Sequence, residues 1–322
     1  MIERSDLPLG PRFEPGGDAA SLEMILAEHA LGRASISDAL RDDGAALAAT
    51  WATPELLVFP IRTPTLAPAT HTNAIFVVSG GDAVLIEPAS PYQDEIARVL
   101  AAVEELARRG VRVREIWATH HHVDHVGGAL ALTEALRLPL RAHPETLTRL
   151  DPDIAHGAAI IEGDHLRVGG ITLEAMHVPG HALGHLAFLE PRLRAVIAGD
   201  MVAAVGTILI EPDGGDMAQY LDSLRRLVAL DAVVVLPAHG GSIRPGRAIF
   251  ERYIAHRLAR EAKVLAALEA EPRSLETLVA RAYSDAPPAI WPLALLSLEA
   301  HLIKLEHDER AVRGALGWAL RT

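Results

Sequence analysis

The sequence contains no cysteine, which excludes disulfide bonds and thiolate metal ligands. Any metal ion bound by this chain must therefore be held by histidine, aspartate or glutamate. Positive charge is also scarce, since 30 Lys and Arg stand against 42 Asp and Glu for a formal net charge of −12. That balance disfavours a broad surface for nucleic acid or for an anionic membrane.

Long apolar segments are missing as well. No apolar window reaches the length of a membrane span, and the opening residues 1–6 are charged where a secretory signal would have an apolar core. We therefore expect a cytoplasmic protein with no membrane partner.

The 322 residues are half apolar, which suits one large globular domain with a smaller one. Residues 1–18 are rich in proline, glycine and charge, and helical spacing over 20–49 predicts two short helices. We expect an N-terminal arm with short helices over 1–54, a catalytic domain over 55–245 and a helical domain over 246–322.

One six-residue stretch, HHHVDH at 120–125, concentrates side chains that bind metals. It places His120, His122, Asp124 and His125 between the apolar run 111–119 and a helical stretch at 129–137. A strand, a tight loop and a helix in this order point several side chains at one place. Neutral imidazoles and a carboxylate are ligands that zinc-like ions prefer, so the stretch predicts a metal site.

Three later segments place histidine or aspartate beside glycine. His181 lies in a glycine-bearing loop, whereas Asp200 and His239 each follow a predicted strand. Apolar runs predict strands at 56–61, 73–78, 83–87, 111–118, 138–142, 165–178 (a hairpin), 193–198 and 232–236, and periodicity predicts helices at 91–109, 129–137, 144–150 and 217–229. We expect two packed sheets with helices outside, and a site built from loops at one edge.

Together these motifs resemble the metallo-β-lactamase superfamily, an αββα sandwich of metal-dependent hydrolases, over about residues 56–240. The resemblance implies two divalent cations, zinc first with iron or manganese as alternatives. It assigns one ion to His120, His122 and His181, the other to Asp124, His125 and His239, and a bridge to Asp200. Glu87 stands where the family usually has aspartate in a structural turn.

The bridging acid Asp200 resembles the glyoxalase-II-like and RNA-cleaving branches, which bind two metals. Antibiotic hydrolysis is disfavoured, because lactamases of one major class use a cysteine ligand and are exported. Residues 250–268, 274–283 and 292–306 have helical periodicity and precede a hairpin around Gly314. This winged-helix pattern resembles the tail of the β-lactamase-like endoribonuclease family, although a helical cap on the hydrolase gives the same pattern.

Two bound metals lower the pKa of a shared water, generating hydroxide, and polarise a carbonyl or phosphoryl oxygen. Asp124 is our candidate for orienting that nucleophile and accepting its proton, the alternative being a role as ligand only. His121 is not expected to be a ligand, and His185 either hydrogen-bonds near the site or has a structural role in its loop.

Three functions fit these features. The first is hydrolysis of a small acyl substrate, a thioester, ester or lactone, which the acidic balance and an aromatic content of 4% favour. The second is cleavage of single-stranded RNA, although residues 250–322 contain ten Lys/Arg and ten Asp/Glu and are neutral overall. The third is metal binding without catalysis. We expect the acyl substrate, and a homodimer is compatible with the sequence.

Overall fold

The computed structural model describes residues 49–321, so the short helices predicted over 20–48 lie outside the described residues. The described chain contains a six-stranded sheet, a five-stranded sheet and a two-stranded hairpin.

The six-stranded sheet follows chain order. Its strands are β1 (Thr50–Thr53), β2 (Leu56–Arg62), β3 (His71–Ser79), β4 (Asp82–Ile86), β5 (Arg112–Trp117) and β6 (Leu140–Arg141). The first four strands are antiparallel, but β4 and β5 are parallel because helix α1 (Gln93–Arg108) returns the chain to the same end of the sheet. The carboxyl ends of β4 and β5 are therefore neighbours.

Short helices follow β5 and β6. They are α2 (Val123–Val126), α3 (Ala129–Leu136) and α4 (Pro144–Leu147). The six residues of the predicted histidine loop thus span the loop after β5 and the first three residues of α2, as the strand, loop and helix pattern predicted.

The second sheet has the order β11-β10-β9-β8-β7. Its strands are β7 (His165–Val168), β8 (Ile171–His177), β9 (Leu186–Glu190), β10 (Ala195–Gly199) and β11 (Val234–Pro237). Helix α5 (Met217–Ala229) connects β10 to its parallel neighbour β11. Strands β1 and β9 were not predicted from the sequence.

The two sheets pack face to face, with helices on both outer faces. Ile75, Ile86 and Trp117 from the first sheet share one buried cluster with Leu173 and Phe188 from the second. Trp117 and Phe188 have ring centroids 5.3 Å apart. The expected αββα sandwich is confirmed.

The C-terminal region has its own core, as a winged-helix domain requires. Its elements are α6 (Gly246–Ala267), α7 (Leu275–Ala282), a 3-10 turn (Pro288–Ile290), α8 (Trp291–His307), β12 (Ala311–Gly314) and β13 (Gly317–Leu320). The predicted domain boundary at 245/246 coincides with the start of α6. However, α6 belongs to both cores: Phe250 and Tyr253 pack against the second sheet, whereas Val264 and Ala267 pack in the C-terminal cluster.

One helical segment among the described residues, Pro288–His307, is long and apolar enough to span a membrane by length and composition. The expectation that no window reaches this length therefore has one exception. Leu298, Leu302 and Leu305 are buried in the C-terminal cluster, so one face of this segment forms part of the winged-helix core.

Candidate metal centre

Three imidazole nitrogens form a triangle at the carboxyl end of β5. His120 Nε2 lies 3.0 Å from His122 Nδ1 and 3.2 Å from His181 Nε2, and the latter two atoms are 2.9 Å apart. Two nitrogens bound to one zinc ion in tetrahedral geometry are separated by about 3.3 Å. The three atoms are therefore arranged as ligands of a single ion.

A second group lies next to the first. Asp124 Oδ2 is 3.9 Å from His125 Nε2 and 3.6 Å from His239 Nε2. Asp200 lies between the groups, because its Oδ2 is 3.5 Å from both His125 Nε2 and His181 Nε2, and its Oδ1 is 3.3 Å from His239 Nε2. The structure thus brings all seven predicted side chains together.

The donor atoms of this site fit a bound metal. His125 Nε2 and Asp200 Oδ1 are buried and lack a hydrogen-bond partner. An unpaired buried polar group costs about 1–3 kcal/mol, and a divalent cation would accept both lone pairs. Neutral nitrogens and carboxylate oxygens without cysteine also suit zinc, iron or manganese.

Four of the five histidines predicted to be metal ligands are held through their second ring nitrogen. The contacts of these Nδ1 atoms are Thr119 Oγ1 at 3.0 Å from His120, Glu87 Oε2 at 3.0 Å from His125, the Leu209 carbonyl at 2.9 Å from His181, and the His71 carbonyl at 2.9 Å from His239. Such contacts fix the tautomer and ring orientation of a metal ligand.

The family comparison agrees with this geometry. Residues 67–239 match the model of the Metallo-beta-lactamase superfamily. The chain belongs to this superfamily. Residues 274–318 match the Beta-lactamase associated winged helix domain, which confirms the expected character of the C-terminal region. Membership of this superfamily implies divalent metal ions.

Several named proteins are similar to this chain. The Lactamase-like protein adaB of Aspergillus niger is 33% identical over 201 residues, covering 62% of this chain and 59% of that protein. The Atrochrysone carboxyl ACP thioesterase AgnL7 of Paecilomyces divaricatus is 34% identical over 212 residues, with the same coverage of 62% and 59%. The Beta-lactamase-like protein 2 homolog of Caenorhabditis elegans is 29% identical over 240 residues, covering 74% and 79%. The chain thus spans about 59% of the length of the two fungal relatives.

Two solved structures share the fold. A beta-lactamase domain protein from Burkholderia ambifaria has a TM-score of 0.72 at 23% identity, covering 86% of this chain and 94% of that chain. A metallo-beta-lactamase family protein from Thermus thermophilus has a TM-score of 0.68 at 23% identity, covering 84% and 99%.

Glu87 has a role in this metallo-beta-lactamase superfamily site that the sequence did not reveal. It is buried, with Oε1 accepting a hydrogen bond from the Thr119 amide at 3.2 Å while Oε2 contacts His125. The sequence indicated only a structural turn. The contact with His125 could have been inferred, because parallel pairing of β4 and β5 brings the residue after β4 next to the histidine loop.

His185 lies at the metal centre rather than only in a loop. Its Nε2 accepts a hydrogen bond from the Asp200 amide at 3.0 Å, and its ring stacks on His120 at 4.9 Å. His121, by contrast, takes part in none of the metal-competent groups found among the described residues. One further residue missed by sequence reasoning is Thr65, whose Oγ1 lies 3.5 Å from His239 Nε2.

Without metal, the site separates neutral from protonated imidazoles. Burial and the neighbouring imidazole of His125 lower the pKa of His120 well below its ordinary value, and burial lowers the pKa of His122 to about 2. Burial also acts to lower the pKa of His125, but the carboxylates of Asp200 and Glu87 raise it well above the ordinary value. Metal binding near His125 would therefore displace a proton, whereas His120 and His122 are already neutral donors.

Proposed function

We propose that this chain hydrolyses a small acyl substrate, with a thioester as the first choice and an ester or a lactone as alternatives. The observation that carries the proposal is the apolar character beside the metal centre. Leu66 is 52% exposed and follows Thr65, and Val123 is 56% exposed between His122 and Asp124. Exposed apolar side chains that neighbour site residues in the sequence suit an acyl group, whereas a phosphodiester chain is ordinarily bound by cationic side chains.

The relatives support a thioester in particular. The protein of Paecilomyces divaricatus bears the name of an ACP thioesterase, and it is 34% identical to this chain over 212 residues.

We further propose that two ions, zinc ahead of iron or manganese, occupy the site. His120, His122 and His181 would hold one ion, Asp124, His125 and His239 the other, and Asp200 both. When bound, the ions would polarise the scissile carbonyl and lower the pKa of the attacking water.

Asp124 is the residue that we assign to proton transfer. Its side chain is 15% exposed against 9% for Asp200, so it is the more accessible of the two carboxylates. Asp124 accepts the proton of the water as the new C–O bond forms to the acyl carbon. The C–S bond then breaks, and Asp124 returns the proton to the leaving thiolate.

Cleavage of single-stranded RNA is a second candidate, favoured by the winged-helix match and by the exposed Arg310 and Arg313 on the hairpin. Local contacts weaken it. Arg313 lies 3.5 Å from a carboxylate oxygen of Glu299 and 5.4 Å from the ring centroid of Trp318, so its charge is partly compensated.

A substrate panel separates the two functions. We expect the metal-loaded protein to hydrolyse thioesters, esters or lactones at low micromolar enzyme, with weak dependence on salt. The proposal would be overturned if every acyl compound were inert while unstructured RNA was cleaved, with cleavage abolished by His122→Ala. RNA affinity should in that case fall steeply with salt and weaken in Arg310→Ala and Arg313→Ala.

A further inference from the structure

The loop after Asp200, residues 201–210, supports the metal centre at two places. It begins directly after the Asp200 carboxylate that lies between the two ligand groups. Near its end, the Leu209 carbonyl accepts the hydrogen bond from His181 Nδ1 at 2.9 Å. The position of this one carbonyl therefore determines how the His181 ring presents Nε2 to the ion.

Helix α6 of the C-terminal region holds this loop through two buried side chains. The Tyr253 hydroxyl accepts from the Ala203 amide at 2.9 Å and donates to the Ala203 carbonyl at 3.2 Å. Arg257, one helical turn later, donates from Nη2 to the Ile208 carbonyl. Ile208 immediately precedes Leu209, so the guanidinium fixes the peptide next to the one that orients His181.

Stability alone does not account for an arginine at this position. Arg257 is 3% exposed, its Nε has no hydrogen-bond partner, and no carboxylate within the described chain forms an ion pair with it. Its guanidinium carbon lies 5.4 Å from the ring centroid of Tyr220, which belongs to a buried apolar cluster. A buried charge without an ionic partner is costly, and an apolar side chain of similar volume would fill the space at lower cost.

We propose that Arg257 is a positioning residue for the metal centre, acting through the Ile208 and Leu209 peptides on the ring of His181. Because α6 continues into the C-terminal cluster at Val264 and Ala267, the same contact couples the winged-helix domain to the metal site. The inference rests on the proposed metal site, and it is independent of the substrate.

The test measures Zn²⁺ affinity of the full chain by chelator competition, without substrate. Arg257→Met is compared with Arg260→Met, a matched control on the same helix. Arg260 is 9% exposed, but it bonds to the Ala282 carbonyl and to Asp285 within the C-terminal region. We expect Arg257→Met to weaken one of the two Zn²⁺ equivalents roughly tenfold. The Zn²⁺ affinity of Arg257→Lys should lie between those of Arg257→Met and the parent. The affinity of Arg260→Met should stay within threefold of that of the parent.

Two results would overturn the proposal. The first is affinity within threefold of the parent for both equivalents in Arg257→Met. The second is equal weakening in both Met variants, which would indicate a general loss of stability. If Arg257→Met does not fold, Arg257→Lys is tested instead, and Zn²⁺ affinity within threefold of the parent for both equivalents overturns the proposal. A parent that binds zinc but hydrolyses no acyl substrate would contradict the proposed function and leave the role of Arg257 intact.

Discussion

Glu87 adopts a backbone φ of 67°, a left-handed conformation that residues other than glycine rarely adopt. Its carboxylate is buried against the imidazole of His125 and the amide of Thr119. The conformational cost of about 1–2 kcal/mol is offset by these two charge-assisted contacts. Local strain at this residue thus serves the orientation of a metal ligand.

We predict that Glu87→Gln weakens metal binding at the group containing His125 by about 10- to 100-fold, because a neutral amide no longer favours the ring orientation set by the carboxylate. Glu95→Gln is the control, since Glu95 is also buried but pairs with Arg98 away from the site. Chelator competition measures both variants. Equal affinities for the two variants would contradict the assigned role.

A second prediction concerns Asp124. Asp124→Ala should lower kcat by at least about 100-fold, because the proton acceptor is lost together with a ligand. His239→Ala removes a ligand of the same group without removing the acceptor, and it should retain more turnover when both variants are saturated with metal. A stopped assay on the best substrate makes the comparison. Full turnover in Asp124→Ala would refute proton transfer by this residue.

Four of the seven predicted ligands were recognisable because they lie within six residues, from His120 to His125, on one loop. Their supporting contacts were not. Leu209 acts on His181 through a carbonyl, which has no side-chain signature, and Glu87 meets His125 only after β4 and β5 pair. Sequence patterns therefore predicted which residues would hold a metal, whereas the fold was needed to see which groups orient their rings.

Among the elements of the fold, strand β10 ends in a crowded part of the site. Gly199 has a φ of 49°, and a Cβ there would lie 2.7 Å from His185 Nε2 and 2.8 Å from Thr119 Oγ1. The absence of a side chain lets the strand end place Asp200 against both ligand groups.

We predict that Gly199→Ala is destabilised by more than Gly110→Ala, which is the matched control. Gly110 also has a positive φ, of 81°, but a Cβ there has no neighbour within 4 Å. The control should lose about 1 kcal/mol of unfolding free energy from backbone strain alone. Urea denaturation of both variants measures the difference. Equal losses would show that crowding at His185 and Thr119 is absorbed without cost.

Periodicity fixed the bounds of one helix, whereas a short buried strand beside the site was missed. Helix α5 has the predicted bounds, Met217–Ala229, because its apolar positions repeat at helical spacing. Strand β9, Leu186–Glu190, is buried on both faces and therefore has no alternating pattern. It also directly follows the loop carrying His181 and His185, where glycine and histidine obscure the start of a strand.

At the scale of the whole molecule, α6 joins the hydrolase core to the winged-helix core, and stability there depends on pH through His256. Burial, together with the charges of Arg257 and Arg260, lowers the pKa of His256 to about 3 from its ordinary value near 6.5. The unfolded chain binds a proton near pH 6.5 and the folded chain only near pH 3. This contribution to stability is complete above pH 6.5 and is lost as pH falls towards 3.

We therefore predict that Tm of the metal-free protein falls less between pH 7.5 and pH 5 in His256→Gln than in the parent. His307→Gln is the control, because the His307 side chain is 86% exposed. The Tm of His307→Gln should decrease as much as that of the parent. Thermal unfolding recorded at both pH values would contradict this reading if all three proteins showed the same decrease.

Seven side chains of the αββα domain are proposed to hold two metal ions. Elemental analysis of protein purified without added metal tests this assignment. We expect about two equivalents of divalent metal per chain, with loss of one or both in His122→Ala and His239→Ala. A content well below one equivalent in the parent, not restored by added zinc, would contradict it.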